Sequence, residues 1–146
     1  MVIKRFFENR RGYAMAYHAV LLATMAVPFL TLTTEAVRAL YVNVNIQTAV
    51  DAACSAAVQA VDVPHFVATG EVVIDGGAAG AYAQREFNAT VANSDIQRYT
   101  PVLTSVSIVN NTVAHCSASA TIEWFLPGLP PLTIDVASAA EALARR

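Results

Sequence analysis

The pattern of apolar and polar positions is organised around one long stretch, from Tyr13 to Val61. Its first part, residues 13–34, contains no charged side chain. At about 1.5 Å of rise per residue, a helix of this length can cross a bilayer. Its second part is Ala-rich, mildly polar and free of Gly and Pro. We therefore interpret the stretch as one helix, half in lipid and half outside it, with a small domain at its far end.

The second half of this helix is predicted to be amphipathic. Polar residues recur at spacings of three and four and form one stripe: Thr48, Asp51, Ser55, Gln59 and Asp62. An adjacent face is apolar and small: Val50, Cys54, Ala57, Val58 and Val61. Pro64 is expected to end the helix, because the residue before a proline disfavours the α region.

A helix and three strands are predicted after it. Glu71 to Gly77 is interpreted as a short strand and a turn. Residues 78–91 are predicted to be helical up to a stop at residues 93–95. The apolar face of this helix is Ala79, Tyr82, Ala83, Phe87 and Val91.

Period-two patterns predict the strands. In the first, residues 102–109, one face holds Val102, Thr104, Val106 and Ile108. In the second, residues 112–125, the apolar face is Ala114, Cys116, Ala118, Ala120, Ile122 and Trp124. Asn110-Asn111 between them favours a tight hairpin. Pro127 to Pro131 predicts a loop, residues 132–136 a third strand, and residues 137–146 a short amphipathic helix or a frayed tail.

The predicted fold class is α+β: a long N-terminal transmembrane helix that continues into an extracytoplasmic domain with a short helix and a small antiparallel sheet. We divide the chain into a cytoplasmic basic arm (1–12), the transmembrane half of the helix (13–34), its extracytoplasmic half (35–62) and a small α+β domain (63–146).

Composition and charge place the chain at a membrane. Charged residues make up 14% and mean hydropathy is +0.46, whereas soluble domains are about a quarter charged. A net charge of −2 does not suggest nucleic acid as a partner. Four basic residues precede the apolar run, opposed only by Glu8: Lys4, Arg5, Arg10 and Arg11. By the positive-inside rule, the N-terminus is expected in the cytoplasm and the C-terminus outside.

A cleaved signal peptide is the alternative interpretation of the apolar run. Its apolar region would normally span about 7–15 residues and end at a small-x-small site. Residues 31–35, Thr-Leu-Thr-Thr-Glu, do not provide such a site. His18 inside the run is either a functional group or a neutral side chain near the cytoplasmic interface.

The first half of the chain resembles a known family. Arg11-Gly12-Tyr13-Ala14-Met15-Ala16 before an apolar run resembles the Arg-Gly-x-x-Ala start of TadE/TadG-like proteins of the tight-adherence (Flp, type IV pilin-like) pilus system. Residues 35–41, Glu-Ala-Val-Arg-Ala-Leu-Tyr, and residues 45–57, which contain Gln47 and Asp51-Ala52-Ala53, extend the resemblance. It covers roughly residues 10–60.

The resemblance implies a pilin-like fold, assembly with copies of itself or with other pilin-like subunits, and leader cleavage between Gly12 and Tyr13. Where TadE-type pseudopilins carry a Glu five residues after the glycine, this chain has Tyr17. That departure, together with the Asp-Ala-Ala segment, favours the TadG-like side of the family.

The sequence contains no recognisable catalytic motif. The three histidines, His18, His65 and His115, form no metal-binding motif. We predict no catalytic residue, cofactor, metal or small-molecule substrate. Asp75-Gly76-Gly77 is interpreted as a turn, and Asn88 and Asn110 match the N-glycosylation pattern only as short motifs.

Three functions remain open from the residues: a structural pilin-like or pilus-associated subunit, a stand-alone membrane-anchored binding or adhesion module, and an anchored enzyme. The first requires packing between helices, for which small residues are available in the membrane segment: Ala14, Ala16, Ala19, Ala23 and Ala26.

Cys54 and Cys116 are the only cysteines. Both fall on predicted apolar faces lined with Ala, one on the long helix and one on the longest strand. Outside the cytoplasm two such residues tend to pair, so a disulfide is expected. Two buried free thiols are the alternative.

Overall fold

The computed structural model describes residues 10–125 and 128–142, except for the side chains of Arg10 and Arg11. Lys4, Arg5 and Glu8, on which the predicted orientation in the membrane depends, lie outside this range. The chain is an α+β protein with a long apolar N-terminal helix and a three-stranded antiparallel sheet. It divides into two compact units after Arg38.

Helix α1 runs without interruption from Arg10 to Ala57, which confirms the prediction of one long helix. Its end lies before the predicted Val61, and Pro64 does not terminate it. Instead, the Ala60 N–H donates to the Ala57 carbonyl at 3.2 Å and tightens the last turn.

The chain is then diverted by a short pairing between two segments. The Asp62 N–H donates to the Val73 carbonyl at 2.8 Å, and the Asp75 N–H donates to the Ala60 carbonyl at 2.6 Å. These bonds fix an extended path at residues 60–62, which is incompatible with a further helical turn. The sequence gives no local signal for them, because the partners are more than ten residues apart.

A short helix, α2, follows from Val63 to Thr69. Asp62 caps it by accepting from the His65 N–H at 3.0 Å, and Pro64 lies in its first turn, where the missing N–H has no intrahelical partner to lose. Gly70 ends it with φ of 76°. Pro64 therefore begins a helix, whereas the sequence pattern assigned it to the end of one.

Helix α3 spans Gly76–Asn93. The predicted strand and turn over Glu71–Gly77 are wrong, because this segment contributes only one bridge, between Ile74 and Val61. Asp75 is the N-cap, and its carboxylate accepts from the Gly77 and Ala78 N–H groups at 2.9 and 3.3 Å. The two glycines thus form the first turn of the helix.

The apolar face of α3 is nearly the predicted one. Its buried residues are Ala79, Ala83, Phe87 and Val91. Tyr82 is 51% exposed, because it lies about 120° around the helix from the centre of that face. The predicted stop is confirmed: Ser94 is the C-cap. A turn of 3₁₀ helix, Gln97–Tyr99, leads to the sheet.

The sheet has strand order β1-β2-β3, with β1 Val102–Val109, β2 Val113–Ile122 and β3 Leu132–Glu141. Asn110 and Asn111 in the first hairpin have φ of 54° and 61°, as their residue type indicates. Beyond the predicted end at Val136, β3 continues and pairs with residues 113–117. The predicted helix or tail from Ala137 is therefore wrong as far as Glu141, and residues 143–146 lie outside the described residues.

A bulge in β1 changes which side chains face the core. The register shifts between Leu103 and Ser105, so that Leu103, Val106 and Ile108 are half-buried whereas Val102 and Thr104 are exposed. One extra residue reverses the alternation on one side of the bulge. The prediction of Val102 and Thr104 on the same face as Val106 is wrong for that reason.

The core lies where the second half of α1, helix α3 and the inner face of β2 come together. The long helix contributes Val42, Ile46, Ala49, Val50, Ala53, Cys54 and Ala57, and β2 contributes Ala114, Cys116, Ala118, Ala120 and Ile122. Trp124, predicted on the same face, is only half-buried, and its indole N–H donates to the Pro130 carbonyl at 2.7 Å.

Candidate functional site

The main candidate is the surface of α1 between Tyr13 and Thr34. Every side chain in this segment is exposed except that of Thr31, which is half-exposed. The exposed large apolar residues are Tyr13, Met15, Tyr17, Val20, Leu21, Leu22, Met25, Val27, Phe29, Leu30 and Leu32. They cover all sides of the helix. A helix that is apolar all round needs protein or lipid around it.

Polar side chains within this segment bond to their own helix. The hydroxyls of Thr31, Thr33 and Thr34 donate to carbonyls four residues earlier at 2.8–2.9 Å, and that of Thr24 to Leu21 at 2.9 Å. His18 Nδ1 lies 2.7 Å from the Ala14 carbonyl. These bonds matter because hydrocarbon offers no alternative partner. Thr within a helix is the sequence signal for such bonds, because its hydroxyl can donate to a carbonyl of the preceding turn.

Pro28 lies inside the segment without ending the helix. Its ring nitrogen carries no N–H for the Thr24 carbonyl, which weakens the helical ladder at that point. Membrane helices tolerate a proline where other groups compensate. Among the described residues, α1 is the one helix long and apolar enough to cross a membrane, with a mean hydropathy of 1.7 in its most apolar window.

A charged pair ends the uncharged segment. Glu35 is 5% exposed, and its carboxylate lies 3.4 Å from Arg38 Nη1, one turn further along the same helix. A buried carboxylate is tolerated where an opposite charge compensates its lost hydration. Glu35 and Arg38 are the first charged side chains along the chain after Arg11.

The predicted packing alanines are exposed, but they do not all share a face. At 100° per residue, Ala16, Ala19, Ala23 and Ala26 fall within an arc of about 80°, whereas Ala14 lies on the opposite side. Those four therefore share one side of α1, and packing of a second helix against the alanines stays a prediction.

The predicted leader-cleavage site lies within the described helix. Gly12 is half-exposed and Tyr13 is 61% exposed, both in the first turn of α1. Cleavage between them stays a prediction.

The two cysteines are brought together by the packing of α1 on the sheet. Cys54 Sγ lies 3.5 Å from the Ala114 carbonyl and 3.4 Å from the Ser138 carbonyl. Ser138 is the direct cross-strand partner of Cys116, so the two thiols lie near each other in the core. Both are free thiols in this structure, so the predicted proximity is present and the disulfide stays a prediction.

Burial changes the acidity of both thiols. It raises the pKa of Cys116 to about 12, with the hydrogen bond to Cys54 adding to the effect. Burial also raises the pKa of Cys54, with a smaller contribution from the Asp51 carboxylate. Neither thiol is therefore an activated nucleophile, which requires a lowered pKa and access to substrate.

The groups that could carry other chemistry are dispersed over the fold. His18 belongs to α1, His65 to α2 and His115 to the exposed face of β2. Within residues 10–125 and 128–142, no cluster of three His, Cys, Asp or Glu side chains is placed to hold a metal ion. A shallow depression between α1 and α3 is lined by Ala52, Ser55, Ala56, Gln59 and Glu86. Ser55 supplies the one hydroxyl and Glu86 the one carboxylate of this lining.

Comparison with known proteins adds no identification: no family model, curated protein or solved structure matches the chain.

Proposed function

We propose that the chain is a structural pilin-like or pilus-associated subunit of a tight-adherence type system, anchored in the cytoplasmic membrane through residues 13–34. The observation that carries the proposal is the continuity of α1. One helix presents an all-round apolar surface over its first half and forms the core of a small α+β domain with its second half.

The exposed half of α1 supports membrane insertion in two ways. Its large apolar side chains would be costly to leave in water, at about 25 cal/mol for each Å² exposed. Its threonine hydroxyls already have acceptors within the helix, so their transfer into lipid leaves fewer unpaired donors. Together these features favour lipid over solvent as the surroundings of residues 13–34.

A subunit role is supported by the alanine face, since Ala16, Ala19, Ala23 and Ala26 would let a second helix approach closely. The resemblance of residues 10–60 to TadE/TadG-like proteins points to the same role. On this proposal the partners are the membrane and copies of this chain or other pilin-like subunits. The domain after Thr34 lies outside the cytoplasm or becomes part of a cell-surface filament.

The experiment is immunogold negative-stain microscopy of material sheared from cells that express the chain. Labelled filaments, absent from a deletion strain and restored by complementation, are the expected result. If the chain occurs only in the membrane fraction while filaments form normally in its absence, the subunit proposal is wrong. The role then becomes that of a stand-alone membrane-anchored binding or adhesion module.

A further inference from the structure

Cys54 and Cys116 meet at the centre of the domain core. Cys54 lies in the last turn of α1 and is 0% exposed, while Cys116 lies on the inner face of β2 and is 2% exposed. Cys54 Sγ contacts the carbonyl of Ser138, and Ser138 is the residue of β3 that pairs directly with Cys116 on β2. Cys54 therefore lies over this pair of strand residues.

The neighbours of the two thiols permit the close approach that a disulfide requires. Ala53, Ala57, Ala114 and Ala118 surround the pair along the helix and the strand, and each is at most 1% exposed. A methyl group at each of these positions lets the helix backbone lie near the strand. A disulfide requires Cα atoms about 4.4–6.8 Å apart, and larger side chains here would hold the backbones farther apart.

We propose that Cys54 and Cys116 form a disulfide that joins α1 to β2, and that it forms only before the helix packs on the sheet. The inference rests on the proposed function, because it needs residues after Thr34 to fold outside the reducing cytoplasm.

The oxidant is a dithiol oxidase in its disulfide form. One cysteine thiolate attacks the oxidase disulfide, so that a mixed disulfide forms and one oxidase sulfur leaves as a thiol. The second cysteine then attacks the sulfur of the first, the Cys54–Cys116 bond forms, and the oxidase leaves as a dithiol. Two electrons and two protons pass from the cysteines to the oxidase.

The order of events follows from burial. In the packed domain neither sulfur can be reached by another protein, and the raised pKa of both thiols suppresses the thiolate that attacks. Protein that folds while reduced is therefore oxidised far more slowly by an oxidant that is added later. The disulfide thus records whether an oxidant was present during folding.

The first test uses full-length protein taken from membranes, alkylated with iodoacetamide in denaturant without reduction, and analysed by mass spectrometry. The expected result is a bridged peptide pair joining Cys54 to Cys116. In cells that lack the dithiol oxidase, both cysteines should instead be alkylated. The single variants Cys54→Ser and Cys116→Ser should each show one alkylated cysteine.

A second arm separates failure of the disulfide from failure of the membrane topology. Purified, reduced, denatured full-length protein is refolded in detergent with a mixture of reduced and oxidised glutathione. An intramolecular bridge is expected whatever the topology in cells, and its absence would overturn the disulfide. Bridging in this arm, without bridging in cells, would show that the domain does not fold in an oxidising compartment and would count against the proposed location.

The timing is tested by adding oxidised glutathione to reduced protein before or after refolding. Oxidation of the folded protein should be at least about 100-fold slower, since it must wait for the core to open. Similar rates would overturn the proposed order. The bridge should also raise the melting temperature by on the order of 10 °C, because it closes a loop of about 60 residues.

Discussion

The hydroxyl of Tyr41 donates a hydrogen bond of 2.8 Å to the backbone carbonyl of Ser94. Tyr41 lies on α1, and Ser94, which is 53 residues further along the chain, caps the C-terminus of α3. The bond satisfies a carbonyl at a helix end, where the helix itself supplies no donor. It also ties the α3 C-terminus to the long helix just before the chain turns into the 3₁₀ segment.

Replacing Tyr41 with Phe should lower the free energy of unfolding by about 0.5–1.5 kcal/mol, because only this hydrogen bond is lost. The measurement is denaturant unfolding of the full-length protein in detergent. Tyr82→Phe is the matched control, since Tyr82 is half-exposed on α3, and it should change stability by less than about 0.5 kcal/mol. Equal losses in both variants would contradict the role of the Tyr41 bond.

The N-cap of α3 gives a second stability prediction. Asp75→Ala should lower the free energy of unfolding by about 1 kcal/mol, because the Gly77 and Ala78 N–H groups lose their acceptor. Asp75→Asn keeps a side-chain oxygen at the same position and should retain most of the stability. If Asn and Ala variants unfold at the same denaturant concentration, the cap does not contribute as described.

Patterns that extend over many residues were read correctly from the sequence. The long helix was predictable because its composition is unbroken by Gly over the whole stretch. The inner face of β2 was predictable because five alternate residues, from Ala114 to Ile122, are all apolar, and all five are buried. Each additional period strengthens such a signal, and the proximity of the two cysteines followed from these two faces.

Features set by single contacts were not predictable. The β1 bulge depends on one register shift against β2. The end of α1 depends on hydrogen bonds to residues 73–75. No local sequence pattern predicts these bonds. Residues 137–141, Ala-Ser-Ala-Ala-Glu, carry no clear period-two pattern of hydrophobicity, so their place in β3 is set by pairing with β2.

The alanine face of α1 predicts a specific effect on assembly. Ala19→Leu should reduce the yield of sheared filaments severalfold, because the larger side chain prevents close approach of a second helix. Membrane insertion should be unchanged, since Leu is well accommodated in lipid. Ala14→Leu on the opposite side is the matched control and should assemble normally. Equal loss of insertion and assembly would argue against helix packing at Ala19.

The orientation in the membrane is testable with paired reporters fused after Arg146. A reporter enzyme that is active only outside the cytoplasm should be active, and one that is active only inside should be silent. The physical reason is the cluster Lys4, Arg5, Arg10 and Arg11, which favours retention of the N-terminus. Reversal of these charges should shift some of the chains to the opposite orientation. An active cytoplasmic reporter on the unmodified chain would refute the assignment.

Alkaline solution should destabilise the reduced protein through Cys116. Burial raises the pKa of this thiol to about 12 in the folded state, whereas a cysteine thiol that is not buried has a pKa of 9.0. Below pH 9 the thiol is protonated in both states, so stability does not depend on it. Between pH 9 and 12 only the unfolded chain releases the proton, and the free energy of unfolding falls by up to about 1.4 kcal/mol per pH unit.

The measurement is the melting temperature of the reduced full-length protein in detergent at pH 8, 9 and 10, compared with Cys116→Ala. Tyrosine and lysine titration affects both proteins alike, so the difference between them isolates the thiol. As the pH rises above 9, the melting temperature of the reduced wild type should fall relative to that of Cys116→Ala. Parallel curves for reduced wild type and Cys116→Ala would show that the thiol is not buried as described.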